Sequence, residues 1–449
     1  MIKKSTLVFL LCAIVLGGTF YYLDFKKGLG SKPAETTDNT KLTFPVAEAD
    51  IGSLTLTHPR EPDAPAIRLD KGKDTWQIVQ PVAAAADQAA VQSMLDNLTT
   101  AKTSETTEPA TSDRLKIYGL TPPQLEVKFQ LKNGVNHTLE IGNKDFTGSS
   151  VYAIVDGAKT VSLLSEAVLT ASDNSLDNLR DHTVLSLTPP QVASFTLKNP
   201  SGEMALTKSK DQWNFTKPSD AMADQDSVNG LLTAVSNARL TTFVSQKPDN
   251  LGQYGLTDPA INFTFADDTG KKSTLLLGKK EGNGYFARDP SRSSVFSVGA
   301  DLYTQLAKSY GELRDLKVLH FDPSDITHVE FHNDHGLIAI SSTDGSNWTI
   351  DSPAAQKGKS ASSYKIFDTL VALRADQIID HPEPALVEAL AKPAIEVELT
   401  DKSGKKLTLK MLKPSGEVVY AQASDISGLS KVKKQDFDSL NFEASSLLE

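Results

Sequence analysis

At 449 residues the chain is long enough for two to four domains, and 39% hydrophobic with 23% charged residues excludes both a multi-span membrane protein and wholesale disorder. A formal net charge of -10 without a long Lys/Arg run argues against a phosphate-backbone partner, so no nucleic acid is expected. The single cysteine, Cys12, lies in the apolar N-terminal stretch, which leaves the rest of the chain no disulfide framework or thiolate metal site.

Residues 5–23 carry no charge between Lys4 and Asp24. As a helix rising about 1.5 Å per residue they reach roughly 28 Å, close to the hydrocarbon thickness of a bilayer. Lys3, Lys4 and the terminal amine precede them, so the positive-inside rule keeps the N-terminus cytoplasmic. Tyr21 and Tyr22 sit where an interfacial aromatic belt belongs. A cleaved signal peptide needs small residues where Phe20, Tyr21, Tyr22 and Leu23 stand, and lipidation of Cys12 needs a small residue where Leu11 stands. The expectation is an uncleaved transmembrane anchor at 1–25, followed by a polar, flexible tether at 26–42.

Beyond the tether the sequence repeats. Trp76, Trp213 and Trp348 are the three tryptophans of the chain, spaced by 137 and 135 residues, and each is followed five residues later by proline (Pro81, Pro218, Pro353). Upstream of each lies a period-two strand pattern at 50–59, 191–200 and 325–334. Downstream come ADQAAV (86–91) and ADQDSV (223–228), with Asp87 and Asp224 placed as helix N-caps. The apolar stripes Val91, Met94, Leu95, Leu98 and Val228, Leu231, Leu232, Val235 follow at helical spacing. In the divergent third copy Ser363 is the candidate cap, and Phe367, Leu370 and Val371 the stripe.

YGLTPPQLEV (118–127), YGLTDPAINF (254–263) and EALAKPAIEV (388–397) come next, each proline opening an alternating strand. Those strands carry Leu125, Val127, Phe129; Ile261, Phe263, Phe265; and Ile395, Val397, Leu399. A further strand (TLEIG, TLLLG, LTLKM) and a tyrosine-bearing strand around Tyr152, Tyr285 and Tyr420 follow. NLRD (178–181) and ELRD (312–315) close the first two copies on a short helix. Each unit of about 135 residues therefore reads as three strands, helix, about four strands, helix. Strand runs joined by short turns predict an α+β class: three tandem related domains of mostly antiparallel sheet with packed helices, at 43–187, 188–321 and 322–449.

These residues (the Lys-flanked N-terminal helix, WQIVQP, ADQAAV, YGL with a following proline, and LRD) resemble bacterial membrane-anchored proteins of domain of unknown function 4340. The resemblance is strongest in copies one and two; the third lacks YGL and LRD. It implies no known activity and no catalytic residues. Members are often encoded beside ABC-transporter genes of the gliding-motility type, which implies a protein partner among such components.

Candidate chemistry is sparse. The tryptophans could form sugar-stacking platforms, but their position in a strand just before a helix favours a core role. His328, His332 and His335, with Asp325 and Asp334, form a metal-like cluster, yet Ser53, Thr57, Ser194 and Lys198 at matching positions favour a solvated sheet face. Five N-x-S/T sequons (Asn97, Asn136, Asn214, Asn262, Asn347) fall largely in predicted strands and read as coincidence. No phosphate loop, G-x-S-x-G elbow or H-E-x-x-H occurs, so no catalytic, cofactor or metal residues are assigned. Arg180 and Arg314 close copies one and two, whereas copy three, with no domain after it, has no such triplet. This predicts that they brace the junction to the next domain, against the alternative of a helix-end salt bridge within their own.

The expected protein is a single-pass inner-membrane protein, with the bulk of the chain periplasmic or extracellular, acting as a non-enzymatic accessory or scaffold. The alternative is an extracytoplasmic ligand-binding or hydrolytic protein with a site in or between repeats. Convergent titratable groups in a polar-rimmed pocket favour the second, and a smooth surface with an exposed apolar patch the first.

Overall fold

The computed structural model describes residues 41–103 and 108–448. The predicted anchor, Cys12 and all but the last two tether residues lie outside the described residues. Among the described residues no helix is long and apolar enough to cross a membrane. The chain forms two compact units divided between Asp181 and His182, the first holding a nine-stranded and a two-stranded sheet, the second holding two nine-stranded sheets.

The three sheets have the same nine-stranded order. In the first, the order runs Ala84–Ala85, Trp76–Gln80, Ile67–Lys71, Ile51–Thr57, Leu125–Leu131, Asn136–Lys144, Ser150–Val155, Thr160–Ser165, Glu108–Pro109. Every pairing in the three sheets is antiparallel, and the class is α+β with repeated domains. The copies share even their irregularities. The register slips between Ile51 and Ser53, between Val192 and Ser194, and between Ile326 and His328. A bulge is a local device that chance does not place three times.

Period-two patterning produces these strands by sending alternate side chains to opposite faces. Leu125, Val127 and Phe129, with their counterparts Ile261, Phe263, Phe265 and Ile395, Val397, Leu399, are all buried. On that face lie the helices Gln88–Thr100, Gln225–Asn237 and Tyr364–Ala372. The shorter helices Glu166–Ser172, Ala300–Leu306 and Lys434–Leu440 pack beside them. Asp87 accepts the N–H groups of Ala89 and Ala90, and Asp224 that of Ser227, so both cap as the sequence predicts. The stripes they launch are fully buried, each large side chain contributing about 1.5–3 kcal/mol.

Four details depart from the sequence reading. Each sheet has a short edge strand after its long helix (Glu108–Pro109, Leu240–Ser245, Gln377–Ile379), too brief or too polar to show a pattern. Ser363 stands at the N-cap without a side-chain capping bond. Val371 is exposed and Ile366 takes its place in the core, because Val371 lies a further 100° around the helix from Leu370. Sheet register aligns Tyr152 and Tyr420 with Phe286, not with Tyr285.

Each sheet has its own core. The second begins at Val184 and the third at Val318, a few residues before the boundaries suggested by the tryptophan phase. The segments after each LRD triplet therefore pack into the sheet that follows in sequence.

Candidate functional site

The residues that recur between copies are occupied in holding the sheet together. Trp76, Trp213 and Trp348 are 3%, 1% and 3% exposed, which leaves no face for stacking a sugar. Pro81, Pro218 and Pro353 each follow a cis peptide bond. The glutamine after each capping aspartate clamps the tryptophan backbone. Gln88 accepts from the Trp76 N–H (2.9 Å) and donates to the Trp76 and Ala86 carbonyls (3.0 and 2.7 Å). Gln225 does the same with Trp213 and Ala223. The sequence contained this signal in ADQ, but it reads there only as part of a cap.

The YGL motif is a close-approach device. Gly119 and Gly255 have φ of 63° and 71°, a region that favours glycine. The turn they form drops the Tyr118 and Tyr254 carbonyls against Gly142 and Gly278, where a Cβ would lie 2.2 and 2.1 Å from the oxygen. In the third copy YGL is missing, and the position following Met411, the partner of Ile395, is Leu412. The motif and the facing glycine are lost together because each exists for the other.

The histidines of the third copy do not converge. His328 Nε2 lies 3.0 Å from Glu330 and its Nδ1 3.8 Å from Asp351, while His335 lies 3.8 Å from Glu443. Asp325 pairs with Lys402, and Asp334 with Lys413. His328 and His332 project from Ile326–Asn333 toward the polar face, in rows with Thr400 and Glu396. Among the described residues no group of three or more His, Cys, Asp or Glu is placed to hold a metal ion.

A set of converging titratable groups lies in the second unit, where its two sheets meet. Arg314, 5% exposed, reaches Asp380 of the third copy, Nη1 to Oδ1 2.6 Å. The contact is an ion pair whose two atoms are not aligned as a hydrogen bond. The guanidinium also lies 5.3 Å from the centroid of the Tyr310 ring. Ser219, just after the cis Pro218, links the Tyr310 hydroxyl (3.1 Å) to the other Asp380 oxygen (3.3 Å). Burial raises the Tyr310 phenol above its usual range.

Beside this pair, His320 bridges two carboxylates. Its Nε2 is 3.1 Å from Asp315, which ends the second copy, and its Nδ1 is 2.9 Å from Asp425 of the third. Burial alone would lower the imidazole, but the bonds and charges of Asp315 and Asp425 outweigh it and raise His320 to about 9. His320 is therefore a cation at neutral pH. A cleft of about 380 Å³ opens here, lined by Phe215, Asp220, Arg314, His320, Ile378 and Asp425 among others. Its two cations, Arg314 and His320, are engaged by Asp380, Asp315 and Asp425. Nothing local in the sequence marks His320, since Asp425 is 105 residues away.

Arg180, at the end of the first copy, lies 3.5 Å from Asp177 of its own short helix. The backbone that carries these arginines persists in the third copy. Ala86 bridges Arg180, Ala223 bridges Arg314, and Ala361 bridges Leu448. The last copy keeps the closing strand and puts leucine where the other two have arginine.

Comparison with known families gives one match. The model described as Domain of unknown function (DUF4340) matches residues 76–214 and again 213–389, more than half of the chain. No curated protein matches.

Proposed function

We propose that this chain, which belongs to the family described as Domain of unknown function (DUF4340), is a single-span, membrane-anchored extracytoplasmic accessory or scaffold protein. The observation that carries this reading is the use made of the recurring residues. Tryptophan, the clamp glutamine, the capping aspartate and the paired glycines all stabilise the sheet, while the polar outer faces differ from copy to copy. Evolution of tandem copies that keep the frame and vary the face suits the display of interaction surfaces. The uncharged run at 5–23 supplies the anchor in this reading, and the resemblance stated above puts an ABC-transporter component of the gliding-motility type among the partners.

The alternative, a ligand-binding or hydrolytic protein, draws on the cleft at the Arg314–Asp380 joint. The mutual pairing of its charged groups favours a mechanical role over a chemical one. Crosslinking in intact membranes followed by affinity purification of the full chain tests the proposal. A stoichiometric membrane-protein partner is expected. Recovery of the protein from the soluble fraction, beginning after residue 23, would overturn the anchor.

A further inference from the structure

We propose that one end of the first unit rests on the bilayer surface, with Phe146 and Ile117 as its apolar contacts; this deepens the anchored reading above and rests on it. Phe146 is 99% exposed and Ile117 71%, the two most exposed large aliphatic or phenyl side chains among the described residues. Leaving such a side chain in water forgoes the gain of burying it. A soluble surface accommodates single exposed apolar groups, but these two lie at one end of the same sheet.

Phe146 sits in the turn between strands Asn136–Lys144 and Ser150–Val155. That turn is fixed by its own bonds. The Asp145 carboxylate accepts from the Ser150 N–H (3.1 Å) and the Thr147 hydroxyl (2.7 Å), and the Gly148 N–H donates to the Asp145 carbonyl (3.1 Å). Ile117 is tied to the same end of the sheet. Asn143 donates its N–H to the Tyr118 carbonyl (2.7 Å) and its amide to the Ile117 carbonyl (3.4 Å). Basic residues lie at the same end: Arg60 bonds Asn143 (2.9 Å) and the Gly119 carbonyl (2.6 Å), Lys116 precedes Ile117 in sequence, and Lys144 is paired with Glu166 (2.8 Å). Cations flanking exposed apolar side chains suit a phosphate headgroup layer over a hydrocarbon edge.

The path of the chain points the same way. Lys41 pairs with Thr103, next to the strand Thr160–Ser165. The C-terminal end of that strand closes on the turn, with Ser165 opposite Ser150 and the Glu166 N–H bonded to the Ser149 carbonyl (2.9 Å). In the second sheet the position matching Thr103 is Leu240, which pairs with Val298 near the C-terminal end of its own strand. The chain thus comes in at the end that carries Phe146. Residues 24–40, between the uncharged run and Lys41, can bridge at most about 60 Å. The sister copies lack the feature. The second has Gln253 before its Tyr254 and Gly282–Asn283 in its turn, and the third has Pro414, Ser415 and Gly416 there. Only the copy that follows the anchor in sequence presents a phenyl group at this tip.

The test places Phe146→Trp in the full chain, reconstituted in vesicles of phosphatidylcholine and phosphatidylglycerol with nitroxide-labelled lipid. The parent chain is the blank, since its three tryptophans are buried. The emission added by Phe146→Trp is expected to fall by at least about half with nitroxide near the headgroups, and to be shielded from aqueous iodide. If the chain floats with the vesicles while that emission stays unquenched by lipid and open to iodide, the inference fails and the anchor stands. Shielding from iodide without quenching by lipid overturns it in favour of a protein, or a second copy, covering this end. Failure of the full chain to float overturns both readings.

Discussion

Replacing Arg314 by leucine is the sharpest perturbation of the second unit, because the protein already contains the control. Leu448 occupies the corresponding position of the third copy and keeps the same backbone bridge, so leucine is compatible with the local fold. Arg314→Leu should leave the core of the second sheet intact and act at the joint with the third. Two unit charges about 4 Å apart attract by about 4 kcal/mol at an effective dielectric constant of about 20. Most of that is offset by desolvation of Arg314, whose side chain is 5% exposed. Asp380 is 22% exposed and recovers part of its hydration when the arginine is removed. The expected loss is therefore about 2–3 kcal/mol, below the roughly 3–5 kcal/mol typical of a fully buried orphaned charge. The assay is urea unfolding of residues 182–449, with Trp213 and Trp348 as separate reporters of the two sheets. A double-mutant cycle with Asp380→Asn should give a coupling of about 1–2 kcal/mol and draw the two transitions apart. A coupling below about 0.3 kcal/mol, or an equal loss in the second sheet alone, would refute junction bracing.

The His320 bridge makes a pH prediction with a definite sign. Its folded pKa of about 9 lies above the ordinary 6.5, so its stabilisation is complete below about 6.5 and is lost as pH rises through 9. Urea midpoints of the same fragment should fall over that window by the equivalent of about 3 kcal/mol, and His320→Gln should flatten the dependence. Trp213→Ala should cost about 3–5 kcal/mol in the second sheet, measured by thermal or urea unfolding. Gly278→Ala should cost about 1–3 kcal/mol, since the new Cβ meets the Tyr254 carbonyl at 2.1 Å; a variant as stable as the parent would remove the close-approach account of YGL.

Much of the frame was legible because it is built from short-range signals repeated three times. Strand alternation, the capping aspartates and the helical stripes need only a few neighbouring residues, and each recurrence at about 135 residues reinforced the others. What escaped depends on partners distant in sequence or on position within a turn. Asp380 and Asp425 meet Arg314 and His320 only after two sheets have formed, so the joint has no local signature. The place of Gln88 in a cap motif hid its role, because its bonds run back twelve residues to Trp76. Tyr285 misled by chemistry, since the aligned position holds phenylalanine, an equally good occupant. Val371 misled because helical spacing from Phe367 admits either flank of the stripe, and the core takes the Ile366 side.

The order of strands within each sheet also governs how the chain emerges during synthesis. The first long strand of a copy, such as Ile51–Thr57, lies in the interior of its sheet, and its second neighbour, Leu125–Leu131, is made 74 residues later. At about 5–20 residues per second, one side of that interior strand stays open for roughly 4–15 s. An open edge is a template for any similar strand, and two more of the same kind follow in the same molecule. The nascent chain must therefore select Leu125–Leu131 over Ile261–Asp267 and Ile395–Asp401, which would pair with it in a swapped product. Sequential arrival favours the correct neighbour, and differences between the tandem strands guard the choice once all three have appeared. Divergence among the copies thus protects each sheet from its siblings.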